Sequence, residues 1–269
     1  MSRSSPPSAT LPLDLAPAGK ARPILGIAVV ATMAGFLAVT LRGGGSGWDA
    51  WLFLERGLSH DASHRIDLAL VVTGLVGAVA GLLLCQRRWG GCLMLPAFAY
   101  LLVNACLIAR MGGTGHAEWT PAAHALRYGT PLALALLVLK EPFGEVQVTM
   151  LLRMVIALVF VTHGVEALVH YPRFIDLVIG SGENLLGWRI NESQAQSALT
   201  VIGVVDVIAG LLVLARPHPA LLWSLAAWGL ITALSRMTSL GWIAYPELLT
   251  RATHFLVPLA LVLCRRRSG

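Results

Sequence analysis

Four ionisable residues stand inside long apolar runs in the second half of this 269-residue sequence: His163, Asp206, Arg251 and His254. Within a bilayer core such a group costs roughly 2.5–3.5 kcal/mol on insertion scales, so it needs a partner or a cavity. Their types suit proton-coupled chemistry. A histidine carries a proton near neutral pH, a neighbouring carboxylate sets its charge, and an arginine holds a carbonyl or carboxylate. Arg251 and His254 are three apart and share a helix face. Asp206 is placed to pair with Arg251 and to accept from His163 or His254. A quinone head group is a fitting occupant, because its carbonyls need such donors. The same residues also admit a structural reading, in which Asp206 and Arg251 form a buried pair that locks helix register and the histidines act as hydrogen-bonding glue. A secondary pair, His124 and Arg127, has the same spacing in the first half, with Glu118 or Asp67 as partners at the outer edge.

The elements that position these residues follow from composition. Hydrophobic residues make up 56% and charged ones 13%, and the mean hydropathy is +0.72. A soluble domain clothes its surface with about a quarter charged residues, so an all-α integral membrane protein is expected. A nucleic-acid-binding domain, a disordered chain and a disulfide scaffold are excluded. A crossing needs about 20 apolar residues. Eight segments qualify: 24–41, 67–85, 90–109, 122–139, 149–170, 197–215, 218–236 and 246–264. They are apolar all round, which fits helices rather than an outer-membrane barrel. At 1.5 Å rise per residue the four polar residues lie about 14–20 Å above the inner ends of their spans, in one mid-membrane layer. Residues 1–23, rich in Pro, Ser and Ala, read as a flexible cytoplasmic tail. The tail is long for a signal-peptide n-region and no good cleavage site follows.

The net charge of +6 is an orientation signal. Lys and Arg resist translocation. Arg3, Lys20, Arg22, Arg87, Arg88, Lys140, Arg153, Arg216 and Arg265–Arg267 fall on the N-terminal side, eleven basic residues against four acidic; the other side has nine against ten. Both termini are therefore expected in the cytoplasm, in a bacterial-type inner membrane with modest attraction to anionic lipid. The two long loops then lie outside. Each carries an amphipathic stretch, with Trp48, Trp51, Leu52 and Leu58 in the first and Phe174, Leu177 and Val178 in the second. Both read as short interfacial helices.

The halves repeat each other. GLVGAVAGLLL at 74–84 matches GVVDVIAGLLV at 203–213, and Gly35 falls opposite Gly164, both at an offset of 129 residues. PLALALLVL at 131–139 matches PLALVLC from 258, where the offset is 127 and a two-residue gap intervenes. Four spans per unit is an even number, so the repeat is parallel. Two four-helix bundles, 24–140 and 149–265, follow.

The fifth span, LLRMVIALVFVTHGVEALVHYPRF, with Arg153 at its start and His163-Gly164, resembles the first helix of the DoxX family of four-helix membrane proteins. The sixth, with Asp206 before a Gly-Leu-Leu run, is similar to that family's second helix. The resemblance covers about residues 150–265 and, through the repeat, weakly 24–140. This chain departs from it at Ala167, where the family often has Lys; Ala34 stands opposite His163 and Gly77 opposite Asp206, so a site formed by that pair belongs to the second bundle. The resemblance implies a redox-associated or quinone-associated membrane subunit. The alternatives are a non-enzymatic accessory subunit of a larger membrane complex, with other membrane proteins and the bilayer as partners, and a metal- or haem-handling protein.

Imidazole suits copper and haem, and His60 and His64 have i,i+4 spacing, but Asp61 or Ser63 there also reads as a helix cap. His163 and His170 share a face at i,i+7. No copper or haem-attachment motif accompanies them. Cys85, Cys92, Cys106 and Cys264 form no Cys-x-x-Cys, and three lie near inner span ends, which rules out an outer thiol relay.

Overall fold

The computed structural model describes residues 21–87, 89–112, 115–139 and 145–263. Among these the chain is helical, with no strands. Arg3, Arg88, Lys140, Cys264 and Arg265–Arg267, and nearly all of the expected tail, lie outside the described residues. Helix α1 (Ala21–Leu41) already includes Arg22 and Pro23, which the tail was expected to hold; proline is tolerated in a first turn, where its missing N–H has no partner to lose.

A short helix α2 (Gly47–Leu54) follows, capped by the Ser46 hydroxyl accepting from the Asp49 amide. Then come α3 (His60–Leu83) and, after a 3-10 turn, α4 (Leu95–Met111). Next is a broken element, α5 (Thr120–Ala123) and α6 (Ala125–Leu139). The second half runs α7 (Glu145–Leu168), α8 (Pro172–Leu186), α9 (Glu192–Ala215), α10 (Pro219–Leu240), then another broken element, α11 (Tyr245–Leu249) and α12 (Ala252–Leu263). Asn191 and Gln194 exchange side-chain and backbone hydrogen bonds in a capping box that starts α9. The order long, short, long, long, broken thus occurs twice.

Among the described residues six helices are long and apolar enough to cross a membrane: Ala21–Leu41, His60–Leu83, Cys92–Met111, Val146–Leu168, Glu192–Ala215 and Pro219–Leu240. The pair Trp242–Leu249 and Ala252–Leu263, bent by 49°, makes a seventh if counted as one span. The stretch expected as a straight span over 122–139 is interrupted at His124, and α6 has 15 residues, about 22 Å of rise against a hydrocarbon core of about 30 Å. The outward faces are apolar, as with Val72, Val76 and Val79 on α3 and Val201, Val205 and Ile208 on α9, whereas Asp67, Asn104, Asp206 and Thr253 are buried. That distribution suits lipid outside and polar groups inside.

Helix α1 packs on α3, and α7 on α9. In the α7–α9 contact Gly164 and Gly203 face each other; a Cβ on Gly203 would lie 2.6 Å from the Gly164 carbonyl, so the contact requires glycine. The halves join where α1 meets α11 and α12, and where α7 meets α5 and α6. At one end Arg22 donates to the carbonyls of Cys85 (3.4 Å) and Leu137 (3.3 Å). Arg153 does the same for Val213 (3.0 Å) and Leu214 at the end of α9, satisfying carbonyls a helix terminus leaves free. The expected short helices are present as α2 and α8. Leu58 falls outside α2, and α8 packs along α10 and α9 with Ile175 and Leu177 buried.

Candidate functional site: a chamber with a cationic mouth

The second half forms a half-open chamber of about 360 Å³ between α7, α8, α9, α10 and α12. Its walls are apolar, with Phe160, Leu185, Leu199 and Ile202 among them. Asp206 from α9 and Trp228 from α10 also line it, and the Asp206 side chain is buried beside the Trp228 indole. At its mouth stand His163, Phe174, Arg236 and Arg251, which also line a vestibule of about 670 Å³. The vestibule lies between the halves, since Ser46, His116 and His124 line it opposite Glu166, Arg173 and Glu247.

At the mouth, His163 Nδ1 lies 2.7 Å from Glu166 Oε2, three residues on along α7. Its ring is 5.9 Å from that of His254 and 5.9 Å from that of Phe174, centroid to centroid. Arg251, at the break between α11 and α12, donates to the Glu247 carbonyl at 2.9 Å and to its carboxylate at 3.4 Å. His254 is buried against α10, where Gly229 makes room: a Cβ there would meet the His254 carbonyl at 2.5 Å. Arg236 rests over the Phe174 ring at 5.9 Å. Arg127, buried at the start of α6, rests over Phe36 at 5.7 Å and lies within electrostatic reach of Arg236, Arg251 and Glu247.

The expected residues therefore meet only in part. His163, His254 and Arg251 come together, and His124 and Arg127, expected to form a separate set in the first half, face the same cluster across the interface. Asp206 lines the same chamber beside Trp228 and forms no ion pair with Arg251. Arg251 takes Glu247 instead. Asp67, suggested as a partner for His124 or Arg127, accepts from Tyr100 (3.2 Å) and Thr40 (3.5 Å). Glu118 lies 3.6 Å from His116. The layer is also not midway: His163 is five residues from the end of α7, about 8 Å.

Glu166, Arg236 and Glu247 were not singled out from the sequence. The signal was available in spacing, because Glu166 is i+3 from His163 and Glu247 is i−4 from Arg251. His60 and His64 stack at 6.4 Å on the first turn of α3, whose cap is Ser59 rather than Asp61 or Ser63. His170 turns to the Thr200 hydroxyl at 3.0 Å. Among the described residues no group of three or more His, Cys, Asp or Glu is arranged to hold a metal. Arg236 presents a buried Nε without a hydrogen-bond partner, and Arg127 another close behind it. Comparison of the chain with known protein families, with curated proteins and with solved structures returns no match.

Proposed function

We propose that the chain is a multi-pass membrane protein, similar to DoxX proteins, that holds a quinone-class ligand in its second half as a redox-associated subunit of a membrane complex. The observation that carries this reading is an apolar chamber with two arginines and two histidines at one end and a buried carboxylate, Asp206, within. Arg236 and Arg251 would hold a carbonyl of the head group, His163 with Glu166 would exchange a proton with the vestibule, and Asp206 would polarise the far wall through Trp228. The quinone itself would supply the electron-accepting chemistry. His163 opens to the vestibule while His254 is buried, so His163 is the better proton donor to water.

In this reading the chain crosses the membrane eight times, counting each broken element as one bent crossing, in two parallel four-helix units. Several features support the duplication. The helix order repeats, Gly112 and Gly241 end α4 and α10 with positive φ at the same 129-residue offset, and each broken element begins with an X-Pro step, at Thr120-Pro121 and Tyr245-Pro246. Lys and Arg enrichment at the end held by Arg22 and Arg153 favours a cytoplasmic placement of that end in a bacterial-type inner membrane.

The test is purification in mild detergent followed by lipid extraction. A quinone retained near one per chain, and lost from folded His163→Ala and Asp206→Ala variants, is the expected result. Absence of retained quinone together with no binding of an added short-tailed quinone would sink the reading, and a stoichiometric protein partner without quinone would point to an accessory subunit.

A further inference from the structure

The mouth of the chamber carries more positive charge than a neutral quinone can answer. Arg236 and Arg251 stand there, Arg173 lines the vestibule, and Arg127 of the first half lies within electrostatic reach of Arg236 and Arg251 without lining either cavity. Glu166 and Glu247 lie in electrostatic reach of Arg236 and Arg251, and both are engaged, Glu166 by His163 at 2.7 Å and Glu247 by Arg251 at 3.4 Å; Asp206 in the cavity and Asp176 in the vestibule form no ion pair with either arginine. Arg127 and Arg236 form no ion pair among the described residues, and the Nε of each is buried without a partner. Arg127 is 7% exposed. Buried guanidinium groups without an acid are costly in a low-dielectric interior, and their planar fork matches the oxygens of a carboxylate or phosphate.

Behind the arginines lies apolar space of about 360 Å³, at the small end of ligand pockets, which run about 300–1,000 Å³. One chain fits such a space more readily than two. We infer that the chamber binds a single-chain anionic amphiphile. Its carboxylate or phosphate head sits against Arg236 and Arg251, with Arg127 adding charge behind them. Its tail runs between Leu185 and Leu186 of α8 and Leu199 and Ile202 of α9. This ligand competes with the quinone, and the inference rests on the chamber being a lipid-ligand site.

The experiment measures equilibrium binding to the full-length protein in mild non-ionic detergent at pH 8. The probes are palmitate, methyl palmitate, lysophosphatidate and a short-tailed quinone. Palmitate or lysophosphatidate is expected to bind about tenfold or more tighter than the uncharged ester, the scale of one charge-assisted hydrogen bond, and to displace the quinone. The tighter of the two acids identifies the head group. Arg236→Gln and Arg127→Gln are expected to weaken acid binding by a larger factor than ester binding. Equal affinity for acid and ester in the wild-type protein, which needs no variant to fold, overturns the inference. Quinone binding alone would remove this inference and keep the quinone reading. Arginine-dependent acid binding without quinone binding does the reverse, and no binding of any probe removes both.

Discussion

The two halves run through the same order of helices and reach opposite interiors. In the first, α4 lies against α3; a Cβ on Gly77 would be 2.5 Å from the Leu93 carbonyl. Tyr100 fills the centre, with its ring edge-on to Phe36 at 5.8 Å and its hydroxyl on Asp67. At the 129-residue offset the second half has Asp206 in place of Gly77 and Gly229 in place of Tyr100. Asp206, beside Trp228, and Gly229, against the His254 backbone of α12, both line the cavity, whereas Gly77 and Tyr100 sit in close contacts. Helices α9 and α10 lie further apart than α3 and α4.

Exchanging those residues should break the contrast most severely in the packed half. Gly77→Asp drives a carboxylate into the Leu93 backbone without a donor, a cost of about 3 kcal/mol or more from overpacking and an unpaired buried charge. Loss of the folded, monodisperse species in detergent chromatography is the expected readout. The hollow half should respond more mildly to filling. Ser235→Leu adds an apolar side chain to the chamber wall, and ligand binding should fall by more than about tenfold while the thermal transition moves little. Removing the polar group beside each buried acid sharpens the comparison. Trp228→Phe removes the indole N–H beside the buried Asp206 and should cost about 1–3 kcal/mol. Tyr100→Phe leaves Asp67 with Thr40 and should cost about 1 kcal/mol; equal losses from the two variants would contradict the difference drawn between the two acids. The smallest effect is expected at Arg110, whose pair with Glu55 at 3.3 Å is exposed. Arg110→Ala should change unfolding by less than about 0.5 kcal/mol.

Helix positions and the two short loop helices were legible in the sequence because apolar runs and helical spacing are local signals. The break at His124 was not, since hydropathy registers composition and passes over an interrupted hydrogen-bond ladder. Side-chain partners were harder still. Whether Asp206 meets Arg251 or Trp228 depends on how far α9 and α10 are rotated and separated, and spacing within one helix carries none of that. The joining of His124 and Arg127 to the second half's cluster is likewise a property of the contact between halves. It became visible only once α5 was seen against α7 and α11 against α1. Glu166 and Arg236 passed unremarked because they stand near span ends, where a charge costs little if water is close.

The interruptions at His124 and Arg251 have an electrical consequence. Each starts a fresh helix, α6 of 15 residues and α12 of 12, well inside the protein instead of at its surface. A helix start carries about half a positive elementary charge from its aligned peptide dipoles. Two such starts are brought to the region where the arginines gather, so the backbone itself adds to the positive potential there. That part of the field does not titrate and cannot be removed by replacing any one side chain.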